Sequence, residues 1–168
     1  MKYEVLDHQY VSHHCFVCGT ENIAGLKAKF YHISDTEIVG VFTAQPEHCS
    51  YPHRLHGGIA AAILDETIGR ALVLHEPEVF GVTVDLNLQY KKPVPLGVEL
   101  VVKGRITENR SRMFSGSGEI LLPNGEVAVL ATGRYMKLPI EKITGEDFGG
   151  DEMYFEDDKR REIIVGEK

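Results

Sequence analysis

One segment dominates what this chain can fold into: LHGGIAAAILDETIGRAL, residues 55–72. Residues 57–75 read as a single long helix, opened by Gly57 and Gly58 and stopped near Pro77. The helix is apolar almost all the way round, so it needs partners on most of its surface. The remaining patterned segments read as strands: 25–31 and 37–44 as a pair, then 80–90, 98–107, 113–122 and 126–138. Asn124-Gly125 between the last two is a tight-hairpin signal. Two strands, a helix and four further strands fit an α+β layout in which an antiparallel sheet wraps one central helix.

The chain has 168 residues, 43% hydrophobic and 26% charged, enough for one domain with a sizeable core. Its longest unbroken apolar run, Ile59 to Leu64, is far too short to span a bilayer. MKYEVLDHQYVSHH has no apolar core of a secretory signal, and three cysteines do not make a disulfide framework, so a reduced cytoplasmic protein is expected. The net charge of -7 is unevenly placed: residues 141–168 carry ten acids and five bases. The expected division is a domain over 1–140 and an acidic C-terminal extension over 141–168. Within the body, 91–112 holds Lys91, Lys92, Lys103, Arg105, Arg110 and Arg112 against Glu99 and Glu108. Such a stretch can attract a phosphorylated ligand, or it can be a set of solvated strand ends. No basic face with interleaved aromatics suggests nucleic acid.

Two adjacent acids interrupt the helix. Asp65 shares a stripe with Gly58, Ala61, Ala62 and Gly69, all small, so a ligand can approach closely along that line. Glu66 lies a quarter turn away and has Arg70 four residues on, in the favourable acid-then-base order. Glu66 thus has a structural partner and Asp65 has none within its own helix. An unpaired acid on a buried stripe is costly unless something uses it, which marks Asp65 as the chemical candidate. The plain alternative is that Asp65 faces a solvated groove or caps a neighbouring loop. At the helix start, the Gly57 and Gly58 N–H groups lack carbonyl partners, and the helix dipole favours negative charge there. An oxyanion site and a carboxylate are the minimum kit for attack on a thioester carbonyl.

His56-Gly57-Gly58 with Asp65, GVTVDLNLQYKKPV at 81–94 and HCFVCGTENIAGLKAKF at 14–30 together resemble the hotdog-fold acyl-CoA thioesterases of the phenylacetate-degradation type. The similarity covers residues 14–138. It implies a sheet wrapped around the central helix, protomers paired edge to edge as a dimer or a dimer of dimers, and thioester sites at the dimer interface. It assigns Asp65 as nucleophile or general base, Gly58 with Gly57 as oxyanion donors, His56 as a residue shaping the loop, and Thr83 as a water-orienting hydroxyl supplied by the partner subunit. Many relatives carry an Asn six residues before the His. Here that position is Ser50, with His48 and His53 as other candidates for its role in holding the thioester.

The resemblance implies hydrolysis of a small, medium or aromatic acyl-CoA, with no cofactor beyond the coenzyme A of the substrate. Lys91, Lys92, Arg110 and Arg112 are the expected contacts to its phosphates. A non-catalytic acyl-CoA-binding sensor of the same fold is the alternative. Cys15-x-x-Cys18 supplies half of a zinc set, which His13 or His14 and Cys49 would have to complete, and it lacks the βαβ context of a redox motif. It is read as two small buried residues before a Gly turn, and no metal is expected. FGVTVDLNLQY, 80–90, is β-rich and free of Pro and Lys, so it is the expected strand edge for dimer pairing.

Overall fold

In the computed structural model, which describes residues 1–145 and 152–166, the central helix α1 runs Gly57–Arg70. Five strands precede it: β1 (Lys2–Glu4), β2 (Asp7–His8), β3 (Val11–Ser12), β4 (Lys29–His32) and β5 (Glu37–Thr43). After it come β6 (Phe80–Tyr90), β7 (Glu99–Asn109), β8 (Met113–Leu121), β9 (Val127–Leu138), the short helix α2 (Ile140–Thr144), β10 (Met153–Tyr154) and β11 (Glu162–Ile164). Seven strands form one antiparallel sheet in the order β2-β4-β5-β7-β8-β9-β6. The long strands match the expected segments closely. The helix is shorter than expected, because Ala71–Leu74 tightens into a 3-10 turn in which the Ala71 N–H reaches the Ile68 carbonyl. Such tightening is one way a helix end satisfies its last carbonyls.

The helix lies across the sheet with Ile63, Leu64 and Ile68 fully buried against Leu100, Val102, Ile120 and Tyr135. Burying each of those aliphatic side chains contributes about 1.5–3 kcal/mol. Close approach is possible because β7 and β8 present glycine under the helix. A Cβ on Gly104 would sit 2.7 Å from the Thr67 carbonyl oxygen, and one on Gly116 only 2.4 Å from Ile68. The β8–β9 hairpin turns through Pro123, Asn124 and Gly125, with Gly125 at φ 85 and its N–H on the Leu122 carbonyl. Only Gly125 takes the left-handed conformation, so the connection is a three-residue loop rather than the two-residue Asn-Gly turn.

The described part of the tail returns to the body. β11 pairs with β1, β10 pairs with β3, and Ile163 and Val165 bury against Tyr31, Val39, Val41, Val101 and Leu121. These residues alternate along their strands with the helix-facing set, so the tail covers the opposite face of the sheet. The acidic residues Glu146, Asp147 and Asp151 of the expected extension lie outside the described residues. At the two ends of the main sheet, β2 offers two residues and β6 eleven. The long β6 edge, with Val82 and Val84 exposed, is where the sequence places it.

Candidate active site

Asp65 is half-buried on the face of α1 that looks toward β6 and β9. Its carboxylate accepts hydrogen bonds from two hydroxyls, Thr83 Oγ1 at 2.9 and 3.1 Å and Tyr135 Oη at 3.1 Å. The strand register explains the convergence, since Thr83 on β6 and Tyr135 on β9 are direct cross-strand partners. The Tyr135 ring is buried and stacks on Phe114 at 4.8 Å, which fixes where its hydroxyl points. Burial, then the neighbouring Asp65 carboxylate, pushes the Tyr135 hydroxyl far above its ordinary range, so it stays a proton donor. Two oriented donors hold one carboxylate with its remaining lone pairs toward a cavity of about 270 Å³. Glu66, Gly69, Val79, Phe80 and Ile143 help to line that cavity. A larger cavity of about 650 Å³, beside Lys29, Tyr31 and Arg160, is remote from these groups.

Three expectations change in detail. Thr83 reaches Asp65 of its own chain, so the hydroxyl is not a partner's contribution to that carboxylate. The cause is geometric: β6 runs beside β9 directly over the helix face that carries Asp65. Gly58 is not the open oxyanion donor, because its N–H is taken by His56 Nδ1 at 2.9 Å. His56 is the N-cap of α1. Among the described residues no acceptor meets the Gly57 N–H, while Tyr90 Oη holds the Gly57 carbonyl at 2.7 Å. Finally, Glu66 pairs with Arg70 at 2.8 Å as its spacing implies, but Arg70 is buried and the pair is not a surface bridge. Arg70 also donates to the Tyr10 carbonyl at 2.9 Å and to Cys18 Sγ at 3.0 Å, tying the N-terminal segment to the helix.

Ser50, Lys91 and Lys92 gather with Gly57 and Tyr90 around a second cavity of about 380 Å³. His48 does not belong to that group: its two ring nitrogens engage the Gln45 N–H and the Ala24 carbonyl. His53 does not line the same cavity, whereas Ser50 and Gly57 both do. Arg110 and Arg112 occupy the β7–β8 turn instead, next to Lys137 and so at the Thr83 end of the sheet. Much of the basic stretch is internally neutralised, Lys92 by Glu126, Arg105 by Glu37 and Arg110 by Glu108. Lys91 and Arg112 form no ion pair among the described residues. Tyr135 was not marked by any sequence motif, and only its inward position opposite Thr83 in the β6–β9 register distinguishes it.

A long helix wrapped by an antiparallel sheet, with a hydroxyl-oriented carboxylate on the helix and a free N–H at its start, defines the hotdog class. The thioesterase superfamily model matches residues 53–129, the segment that carries every one of these groups except Tyr135. Over that segment, just under half of its length, the chain is similar to the thioesterase superfamily. Acyl-coenzyme A thioesterase 13 of Homo sapiens is 27% identical over 101 residues, 60% of this chain and 71% of that protein. Acyl-coenzyme A thioesterase THEM4 of Mus musculus is 30% identical over 116 residues, 68% of this chain and 49% of that protein, so this chain spans about half its length. A solved thioesterase superfamily protein superposes with a TM-score of 0.68 at 28% identity, covering 74% of this chain and 64% of that chain. The hotdog fold and the thioester-hydrolase class agree with what the sequence motifs imply. No helix among the described residues is long and apolar enough to cross a membrane.

Proposed function

We propose that this chain hydrolyses acyl-CoA thioesters, with Asp65 as the nucleophile or general base and the Gly57 N–H as the oxyanion donor. The observation that carries the reading is the Asp65 carboxylate, oriented by Thr83 and Tyr135 and facing a cavity whose wall includes the apolar side chains of Val79, Phe80 and Ile143. As base, Asp65 takes a proton from water as the hydroxide oxygen bonds to the thioester carbon. As nucleophile, its oxygen bonds to that carbon and the resulting anhydride is hydrolysed. On either route the carbonyl oxygen becomes an oxyanion, and the C–S bond breaks to release the CoA thiol.

One chain does not bring both halves of this machinery to one carbonyl. Eight residues separate Gly57 from Asp65, which is about 12 Å along the helix axis. The two groups line separate cavities. A two-fold axis that passes the β6 edge at Asn87 solves the problem. With the extra residue Val84 bulged out of the ladder, Thr83 and Tyr90 each lie three paired positions from Asn87, so antiparallel pairing of two β6 strands about it sets Thr83 and Asp65 of one chain near Tyr90 and Gly57 of the other. The same pairing removes an eleven-residue open edge. In that dimer Ser50 and Lys91 accompany the oxyanion donor, and Arg112 accompanies the carboxylate.

The test is a panel of short, medium, long and aromatic acyl-CoAs assayed for free thiol, run with the Asp65→Asn protein. The expected result is turnover of at least one class, reduced by about 10²–10⁴-fold in the variant. An unchanged rate in Asp65→Asn would refute the assignment. Binding of acyl-CoA with no turnover of any class would favour the sensor.

A further inference from the structure

The turn that carries Cys15 and Cys18 lies on the wall of the Asp65 cavity and plays no part in the chemistry above. The Gly19 N–H closes the turn on the Cys15 carbonyl at 2.8 Å, and a Cβ at Gly19 would lie 2.3 Å from that same oxygen. Glycine is therefore required there, and both sulfurs are fixed on one side of the turn. A carboxylate oxygen of Glu66, from α1, joins them, and the three ligand atoms all lie within 4.8 Å of one another. Neither His13, His14 nor Cys49, the partners considered from the sequence, belongs to this group. His13 is held by Glu21 at 2.8 Å, and Cys49 is exposed.

The hydrogen bonds around the sulfurs come from donors. The Val17 N–H points at Cys15 Sγ at 3.3 Å, and Arg70 Nη2 points at Cys18 Sγ at 3.0 Å. Ser12 Oγ already accepts from the Cys15 N–H at 3.2 Å, which leaves its own proton for Cys18 Sγ at 3.5 Å. Donors of this kind suit thiolates. Once a metal displaces the thiol protons, two thiolates and the Glu66 carboxylate make three negative charges, and Arg70 supplies one positive charge among them. A divalent cation brings the group to neutrality. Tetrahedral zinc, with metal–sulfur bonds of about 2.3 Å and metal–oxygen bonds of about 2.0–2.2 Å, needs ligand atoms somewhat under 4 Å apart, within easy reach of this spacing. Arg70 stays as an outer partner through Glu66 Oε1, leaving Oε2 for the metal.

We propose that Cys15 Sγ, Cys18 Sγ and the Glu66 carboxylate form a site for a zinc-class divalent cation, with its fourth position open to the Asp65 cavity. The site fastens the N-terminal turn to the central helix one residue from Asp65. Binding releases any thiol protons to solvent and changes no oxidation state. The site stands whether or not Asp65 is the reacting carboxylate.

The experiment titrates the untagged full chain, stripped by chelator and kept reduced, with Co²⁺ as a spectroscopic probe and then with Zn²⁺. The expected result is a thiolate-to-cobalt charge-transfer band that saturates at one equivalent and is bleached by Zn²⁺. It should vanish in Cys15→Ser and Cys18→Ser and persist in Cys49→Ser. Zn²⁺ should also protect two of the three thiols of the unaltered protein from a thiol reagent, a readout that needs no variant to fold. No charge-transfer band at one equivalent in the reduced protein would overturn the proposal. So would a band that persists with both Cys15 and Cys18 replaced, or full reactivity of all three thiols in the presence of Zn²⁺.

Discussion

Mixing chains that each lack a different half of the site measures which chain supplies which group. Asp65→Asn removes the carboxylate and should leave about 10²–10⁴-fold less turnover. Its complement is Gly57→Pro, which deletes the one N–H proposed to hold the oxyanion and should cost about 10²–10³-fold. The substitution suits its place: Gly57 is the first residue of α1, a position where proline is favoured because that N–H has no helical partner. His56 before it has φ -63 and ψ 133, the extended conformation that a residue preceding proline prefers. The nearest atoms to a Cβ at Gly57 are those of the Tyr90 ring at 3.4 Å, at the edge of ordinary contact. After subunit exchange of equal amounts, half of the dimers are mixed, and one of the two sites in each has both groups. Free-thiol release should therefore recover to about a quarter of the unaltered rate. Asp65→Asn mixed with Thr83→Val should recover nothing, because those two side chains meet within one chain at 2.9 Å. No recovery in the first mixture, with exchange verified by mass spectrometry, would refute the two-chain site, and so would recovery in the second.

Tyr135→Phe and Thr83→Val each delete one hydroxyl donor to Asp65. A hydrogen bond to a charged group contributes about 1.5–3 kcal/mol, so kcat/KM for acyl-CoA should fall by about tenfold or more in each. The melting temperature of Thr83→Val should hardly move, since that hydroxyl is exposed. Arg70→Met should cost about 3–5 kcal/mol in urea unfolding, because it leaves Glu66 and the N-terminal segment without their buried cation. A loss below about 0.5 kcal/mol would show that Arg70 is not the tie the structure makes it. Arg112→Gln should raise KM for acyl-CoA and spare the matching pantetheine thioester, whereas equal losses on both substrates would exclude a phosphate contact.

The fold was legible because its two periodicities are so distinct. The apolar run of α1 fits no solvent-facing helix, and β6 through β9 show their lengths within a residue or two of the sequence estimate. The glycines that punctuate β7 and β8 were not legible as helix contacts. Their reason is the approach of Thr67 and Ile68 from another element, which strand patterning does not report. The tail was equally silent: Ile163, Ile164 and Val165 are a short apolar run in a polar stretch, and only the exposed back of the sheet gives Ile163 and Val165 somewhere to go. Glu66 was legible through its spacing to Arg70. The burial of Arg70 was not, since it depends on Tyr10 and Cys18 from a segment more than fifty residues away.

The site was half legible for a related reason. A helical wheel reports the angle of a residue around the axis and discards its height along it. Gly58 and Asp65 share an angle, which made them look like parts of one oxyanion and carboxylate pair. Seven residues of rise put them about 10 Å apart, too far to meet one thioester carbonyl. Height also decides the fate of the two glycine N–H groups. His56 Nδ1 reaches forward two residues to Gly58, so capping consumes the donor that shares the Asp65 stripe and spares the one before it. The free donor then sits at the start of the helix and the carboxylate more than two turns along it, and β6 carries their respective partners Tyr90 and Thr83 seven residues apart on one edge. For this arrangement to act on one substrate, a second β6 must reverse their order. In the proposed dimer, the need to close the sheet edge and the need to complete the site would be met by the same two-fold axis.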